Sequence, residues 1–119
     1  MSRIALVAGV VVTALALAAP IGATSSVTKL SGTVGPGFTI TLKKGTAKVK
    51  TLKPGKYSIT VNDKSSIHNF HLKGPGVNKI ITATRFTGKK TVTVTLKKGK
   101  YTYVCDPHAT IMKATFTVK

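Results

Sequence analysis

The sequence predicts an all-β chain folded as a single Greek-key sandwich of seven or eight short strands. Three observations predict it. Apolar residues recur at every second position: Phe38, Ile40 and Leu42, then Tyr57, Ile59 and Val61, then Val92, Val94 and Leu96. Period two is the mark of a half-buried strand. Turn residues punctuate these segments at short intervals, the spacing of a sandwich with Greek-key links. A length of 119 residues with 42% hydrophobic content leaves room for one core, built mainly from Val, Ile, Leu and Ala because aromatics are only 6%.

Taken in order, the chain opens with Arg3 and an apolar run over 4–19, broken by Gly9 and Thr13 and followed by Pro20 and small residues. This has the form of a secretory signal peptide, and cleavage after Ala23 is expected, with Ala16-Leu17-Ala18 a second fit to the small-x-small rule. The run is shorter than the roughly 20 residues that span a bilayer, so the mature form is expected to have no transmembrane helix. Residues 1–23 are therefore assigned to the leader and 24–119 to the domain.

Strands are expected near 27–34, 38–43, 47–51, 56–62, 67–72, 90–96, 100–105 and 112–118. Thr, Ser and Lys fill the alternate positions, suiting a solvated sheet face and discouraging edge pairing. The stretch 77–88 is less regular and is read as a loop or a poorly ordered strand. A short echo links Leu52-Lys-Pro-Gly-Lys-Tyr57 with Leu96-Lys-Lys-Gly-Lys-Tyr101, two turns each feeding a strand with an inward Tyr.

The formal charge is +17, with Asp63 and Asp106 the only acids. Such a field favours acidic redox partner proteins or anionic cell-surface components. Arg occurs only at positions 3 and 85, and no nucleic-acid reader motif is present, so nucleic acid is not expected. A monomer is expected. The two acids form no pair for acid and base work, which argues against an enzyme.

Exported proteins usually pair their thiols, yet Cys105 is the only cysteine. It could be a small buried hydrophobe or an intermolecular disulfide partner. Its neighbours point elsewhere: Asp106-Pro107-His108 follow, then Met112, so thiolate, imidazole and thioether fall within eight residues. Soft sulfur with imidazole selects copper, and two His and one Cys with a weak axial Met is the ligand set of blue-copper sites. The remaining imidazole must come from His68 or His71. Strand parity puts His68 with Phe70 and Leu72 on the core face, and His71 with Asn69 and Lys73 on the solvated one. His68 is the expected ligand and His71 a surface residue. Met112 as a plain core residue is the alternative to an axial ligand.

The pattern His68-Asn69, Cys105-x-Pro107-His108 and Met112, set in a short-stranded sandwich closed by Phe116 and Val118, resembles the cupredoxins, plastocyanin and its bacterial relatives in particular. The resemblance implies one copper per chain, with Asn69 hydrogen-bonding and bracing the Cys loop and Pro107 shaping it. It also implies that His108 reaches the surface through an apolar patch including Pro36, Pro107, Ala109 and Ile111. Three residues separate His108 from Met112, where plastocyanin-like proteins usually have four. That spacing resembles azurin.

The expected function is an exported one-electron carrier. The alternatives are a copper module for storage, delivery or sensing, and a metal-free cationic sandwich that binds anionic surfaces. Multicopper oxidases place His beside the Cys, whereas Val104 and Asp106 stand there, and three His cannot build a second copper site.

Overall fold

The computed structural model describes residues 26–119. The expected leader, 1–23, lies outside the described residues. Ten strands follow in order: β1 (Thr28–Val34), β2 (Ile40–Lys44), β3 (Ala47–Lys48), β4 (Thr51–Leu52), β5 (Gly55–Asp63), β6 (Phe70–Gly74), β7 (Val77–Thr82), β8 (Gly88–Leu96), β9 (Gly99–Val104) and β10 (Lys113–Val118). They form two five-stranded sheets, β3-β2-β1-β5-β8 and β4-β10-β9-β6-β7. The chain changes sheet between β3 and β4, β4 and β5, β5 and β6, β7 and β8, and β8 and β9. Pairing is antiparallel except for β1 with β5 and β10 with β4.

The long strands obey the alternation that predicted them. In β5, Tyr57, Ile59 and Val61 are buried while Ser58 and Thr60 are half-buried on the other face, as a pleat requires. Two departures have local causes. The segment expected as one strand at 47–51 is two short pieces in different sheets, joined at buried Val49, whose N–H bonds the Leu42 carbonyl at 2.9 Å. The irregular stretch after Val77 contains β7, an edge strand paired only with β6. Its register shifts beside Phe70 and His71, so its buried residues, Ile81 and Thr82, are consecutive and show no period of two.

The inward faces share one core, including Leu30, Leu42, Ile59, Leu72, Tyr103 and Phe116. Aromatic rings run through it. Phe70 stacks on Tyr103 at 5.4 Å and Tyr101 on Phe116 at 5.3 Å. In both echoed turns the Tyr bonds the backbone four residues earlier, in opposite senses: Tyr57 donates its hydroxyl to the Lys53 carbonyl at 2.6 Å, and the Tyr101 oxygen accepts from the Lys97 N–H at 2.9 Å. Each Tyr thus ties down the turn four residues before it. Tyr101 also donates to the Pro75 carbonyl at 2.9 Å. Its ring lies against Gly74, where a Cβ would sit 2.1 Å from it, so no larger residue fits there.

Because β1 and β5 run in parallel, both end at one pole, where the loops after Val34 and Asp63 meet the loop leaving β9. The candidate site sits at that pole.

Candidate metal centre

His68 follows a tightly bonded turn. The Lys64 N–H reaches the Val34 carbonyl at 2.9 Å, the Ser65 N–H bonds Asp63 Oδ1 at 3.1 Å, and the His68 N–H reaches the Ser65 carbonyl at 3.4 Å. These bonds deliver His68 to the pole with its side chain fully buried. Gly35 lies against it with φ +76, a backbone that favours glycine, and a Cβ there would meet His68 Cδ2 tightly at 3.2 Å.

Cys105 ends the inward alternation Tyr101, Tyr103, Cys105, and is buried. The loop after it closes on itself: the Cys105 N–H bonds the Met112 carbonyl, and the N–H groups of Ile111 and Met112 both reach the His108 carbonyl. Pro107 lies in the short 3₁₀ turn Asp106–His108, where its fixed φ suits helix entry and its missing N–H costs nothing. Met112 is fully buried at the foot of this loop.

These two segments bring three donor atoms together. His68 Nδ1 lies 3.1 Å from His108 Nδ1, and Cys105 Sγ lies 3.7 Å from the first and 3.5 Å from the second. Among the described residues they form a group able to hold a metal ion. The outer nitrogen of His68 faces the Gly37 carbonyl at 3.0 Å. A carbonyl can only accept, so Nε2 carries the proton and Nδ1 presents its lone pair inward, the arrangement typical of metal-bound histidine.

A model of the copper-binding proteins of the plastocyanin/azurin family matches residues 40–119. The chain belongs to that family. No curated protein matches it closely enough to report. Among solved structures, the cupredoxin is similar to rusticyanin from Thiobacillus ferrooxidans, with 24% identity over 81% of this chain and 79% of that one, and a TM-score of 0.56. Reduced rusticyanin matches at 24% identity over 81% of each chain, with a TM-score of 0.53. At such identity the likeness speaks for the fold.

The donor set fits copper. One thiol and two imidazoles converge, with no carboxylate among them, and softness of this kind favours copper over hard cations. The cupredoxin therefore has a single copper site of blue-copper composition at the pole.

Around it, Asn69 bonds the Cys loop in both directions: its Oδ1 accepts from the Asp106 N–H at 2.7 Å and its Nδ2 donates to Asp106 Oδ2 at 2.9 Å. His71 departs from the expected solvated residue. Its side chain is only 14% exposed, and Nδ1 meets Asp106 Oδ2 at 2.9 Å while Nε2 contacts Asn78 Oδ1. Burial pushes the Asp106 carboxyl up, but the hydrogen bonds from Asn69 and His71, with the nearby charges of His71 and Lys73, outweigh it and hold the group below the usual range. Parity alone could not reveal this, because it says which face His71 occupies and not that the Cys loop folds back over that face.

Phe38 is a second departure. It lies outside β2, 55% exposed, with its ring edge-on to His108 at 5.0 Å and His68 at 5.4 Å. Pro36, Pro107, Ala109 and Ile111 are exposed at the same pole.

Proposed function

We propose that this cupredoxin is an exported one-electron carrier in which His68 Nδ1, His108 Nδ1 and Cys105 Sγ hold the copper, with Met112 as a weak axial ligand. The observation that carries the reading is the convergence of those three atoms, with His108 half-exposed beside an apolar surface. Bound copper supplies a Cu(I)/Cu(II) couple, and mixed thiolate, thioether and imidazole donors suit both states. The sandwich keeps the donors in place, so little rearrangement accompanies a change of oxidation state. Phe38 and the exposed apolar residues surround His108 and offer the contact face for a partner.

The leader 1–23 directs export and 24–119 is the mature domain. Among the described residues no helix is long and apolar enough to cross a membrane. The partners are acidic redox proteins or anionic cell-surface components. Among the described residues the sole ion pair is His71 with Asp106, so none of their lysines is in an ion pair. Lys44, Lys53, Lys56 and Lys119 line a cavity of about 610 Å³ at the pole opposite the copper. Docking there leaves His108 facing outward.

Loading the mature domain with Cu(II) tests the reading. An intense visible thiolate-to-copper band, reversible one-electron reduction and loss of the band in Cys105→Ser are expected. A protein that holds only Cu(I) and yields it to an acceptor is a delivery module instead. Unchanged copper affinity and spectrum in Cys105→Ser removes the site.

A further inference from the structure

The loop from Cys105 to Met112 is bonded mainly to itself, and its side-chain anchorage to the neighbouring sheet runs through one residue, Asp106. Asp106 Oδ2 is shared between Asn69 Nδ2 and His71 Nδ1, both at 2.9 Å. His71 sits opposite Val104 in the β6–β9 pairing, at the root of the loop. Its other ring nitrogen contacts Asn78 Oδ1 on edge strand β7. A chain of side chains therefore runs Asn78, His71, Asp106, Asn69, from the sheet edge through the residue next to the thiol to the residue next to His68.

We propose that His71 is a positioning residue for the copper site: held at one nitrogen by Asn78, its ring clamps Asp106 and so sets the direction in which Cys105 presents Sγ. The proposal rests on the copper reading above and extends it beyond the ligand-bearing segments. The physical reason is geometric. The peptide joining Cys105 to Asp106 is pinned at its N–H by Asn69, but one bond leaves that plane free to rock about it. A second anchor on the Asp106 carboxylate removes that freedom. The ring is rigid and is held at both ends, so it locates the carboxylate better than a flexible side chain would. Outer partners of this kind orient metal ligands, and losing one costs about 10- to 100-fold in metal affinity.

The test compares His71→Ala, His71→Gln and Asn78→Ala with the parent, each loaded with Cu(II). In His71→Ala, copper should pass to a chelator about tenfold faster, the lower end of that range, and the thiolate-to-copper band should shift or broaden. Gln, which keeps a donor toward Asp106, should restore most of both, and Asn78→Ala should show the same change in milder form. In the metal-free proteins, the amides of Cys105, His108 and Met112 should exchange hydrogen faster in His71→Ala while those of Ile59 and Val61 do not.

An unchanged band and copper release in His71→Ala and Asn78→Ala, with only the unfolding midpoint lowered, overturns the proposal. So does a Gln variant no better than Ala. If His71→Ala does not fold, the Gln and Asn78 variants decide by the same readouts. A parent that shows no thiolate band refutes the copper reading instead, and loop exchange in the metal-free proteins still judges the clamp.

Discussion

The Nδ1 atoms of His68 and His108 face each other at 3.1 Å across 40 residues of sequence, yet one ring is buried and the other half-exposed. The two should therefore differ in how they tolerate loss. His68→Gly and His108→Gly should both weaken copper binding by at least the roughly 10- to 100-fold that losing an outer partner of a ligand costs. Added imidazole should restore the visible band only in His108→Gly, because solvent reaches that position. Equal rescue of both, read by absorption titration, contradicts the assigned geometry.

Met112 has two separable contributions, packing and its thioether. Met112→Ala opens a cavity at a fully buried position and should cost about 2–5 kcal/mol by denaturant unfolding. Met112→Leu conserves volume and should cost under about 1.5 kcal/mol. If the thioether is axial to copper, the Leu variant shifts the reduction potential while keeping the fold. An unchanged potential makes Met112 a core residue only.

Asp63 is almost fully buried, and its Oδ2 has no hydrogen-bond partner. Burial pushes its carboxyl up, against the pull of the Thr82 hydroxyl and the Ser65 N–H. The folded state thus keeps its proton to higher pH than the unfolded chain. Stability from this group falls as pH climbs from about 3.9, the ordinary aspartate value, through the raised folded value. Asp63→Asn should be more stable than the parent at neutral pH, with the gap closing toward pH ~4. Denaturant unfolding of the metal-free pair across that range checks it, and a constant gap refutes the assignment.

The three tyrosines form a graded series. Tyr101 Oη makes two hydrogen bonds and Tyr57 Oη one, while the buried Tyr103 Oη makes none. Tyr101→Phe removes two hydrogen bonds, with the Lys97 N–H and the Pro75 carbonyl, and should cost about 1–3 kcal/mol. Tyr57→Phe should cost about 1 kcal/mol or less, since one net hydrogen bond is lost. Tyr103→Phe should leave stability unchanged or raised. Unfolding midpoints in this order support the turn-tying role of Tyr57 and Tyr101.

Much of this was legible because it rests on rules that act over a few residues. Alternation in β5 marked Tyr57, Ile59 and Val61 as inward, and they are buried. The same parity put Phe70 and Leu72 inward, and both are buried; His68 and Asn69, expected on that strand, precede β6, and both are buried although parity gave Asn69 to the solvated face. A lone cysteine three residues before His108 identified the soft-donor chemistry without any fold. Parity failed where the chain leaves the regular pleat. Phe38 continues the alternation of Ile40 and Leu42 in sequence, but strand pairing begins only at Ile40. Phe38 is thereby free to turn out against the two imidazoles.

The chemistry was determined by residue type and spacing: which donors exist and that they suit copper. Local sterics and donor softness decide those matters, and both are properties of the chain itself. Only the tertiary structure decided which groups meet across sheets. The order β10-β9-β6-β7 sets β6 beside β9, and with it His71 and Asn69 beneath Asp106. That contact depends on strands far apart in sequence docking in one register, and a pattern of period two carries no information about its neighbour.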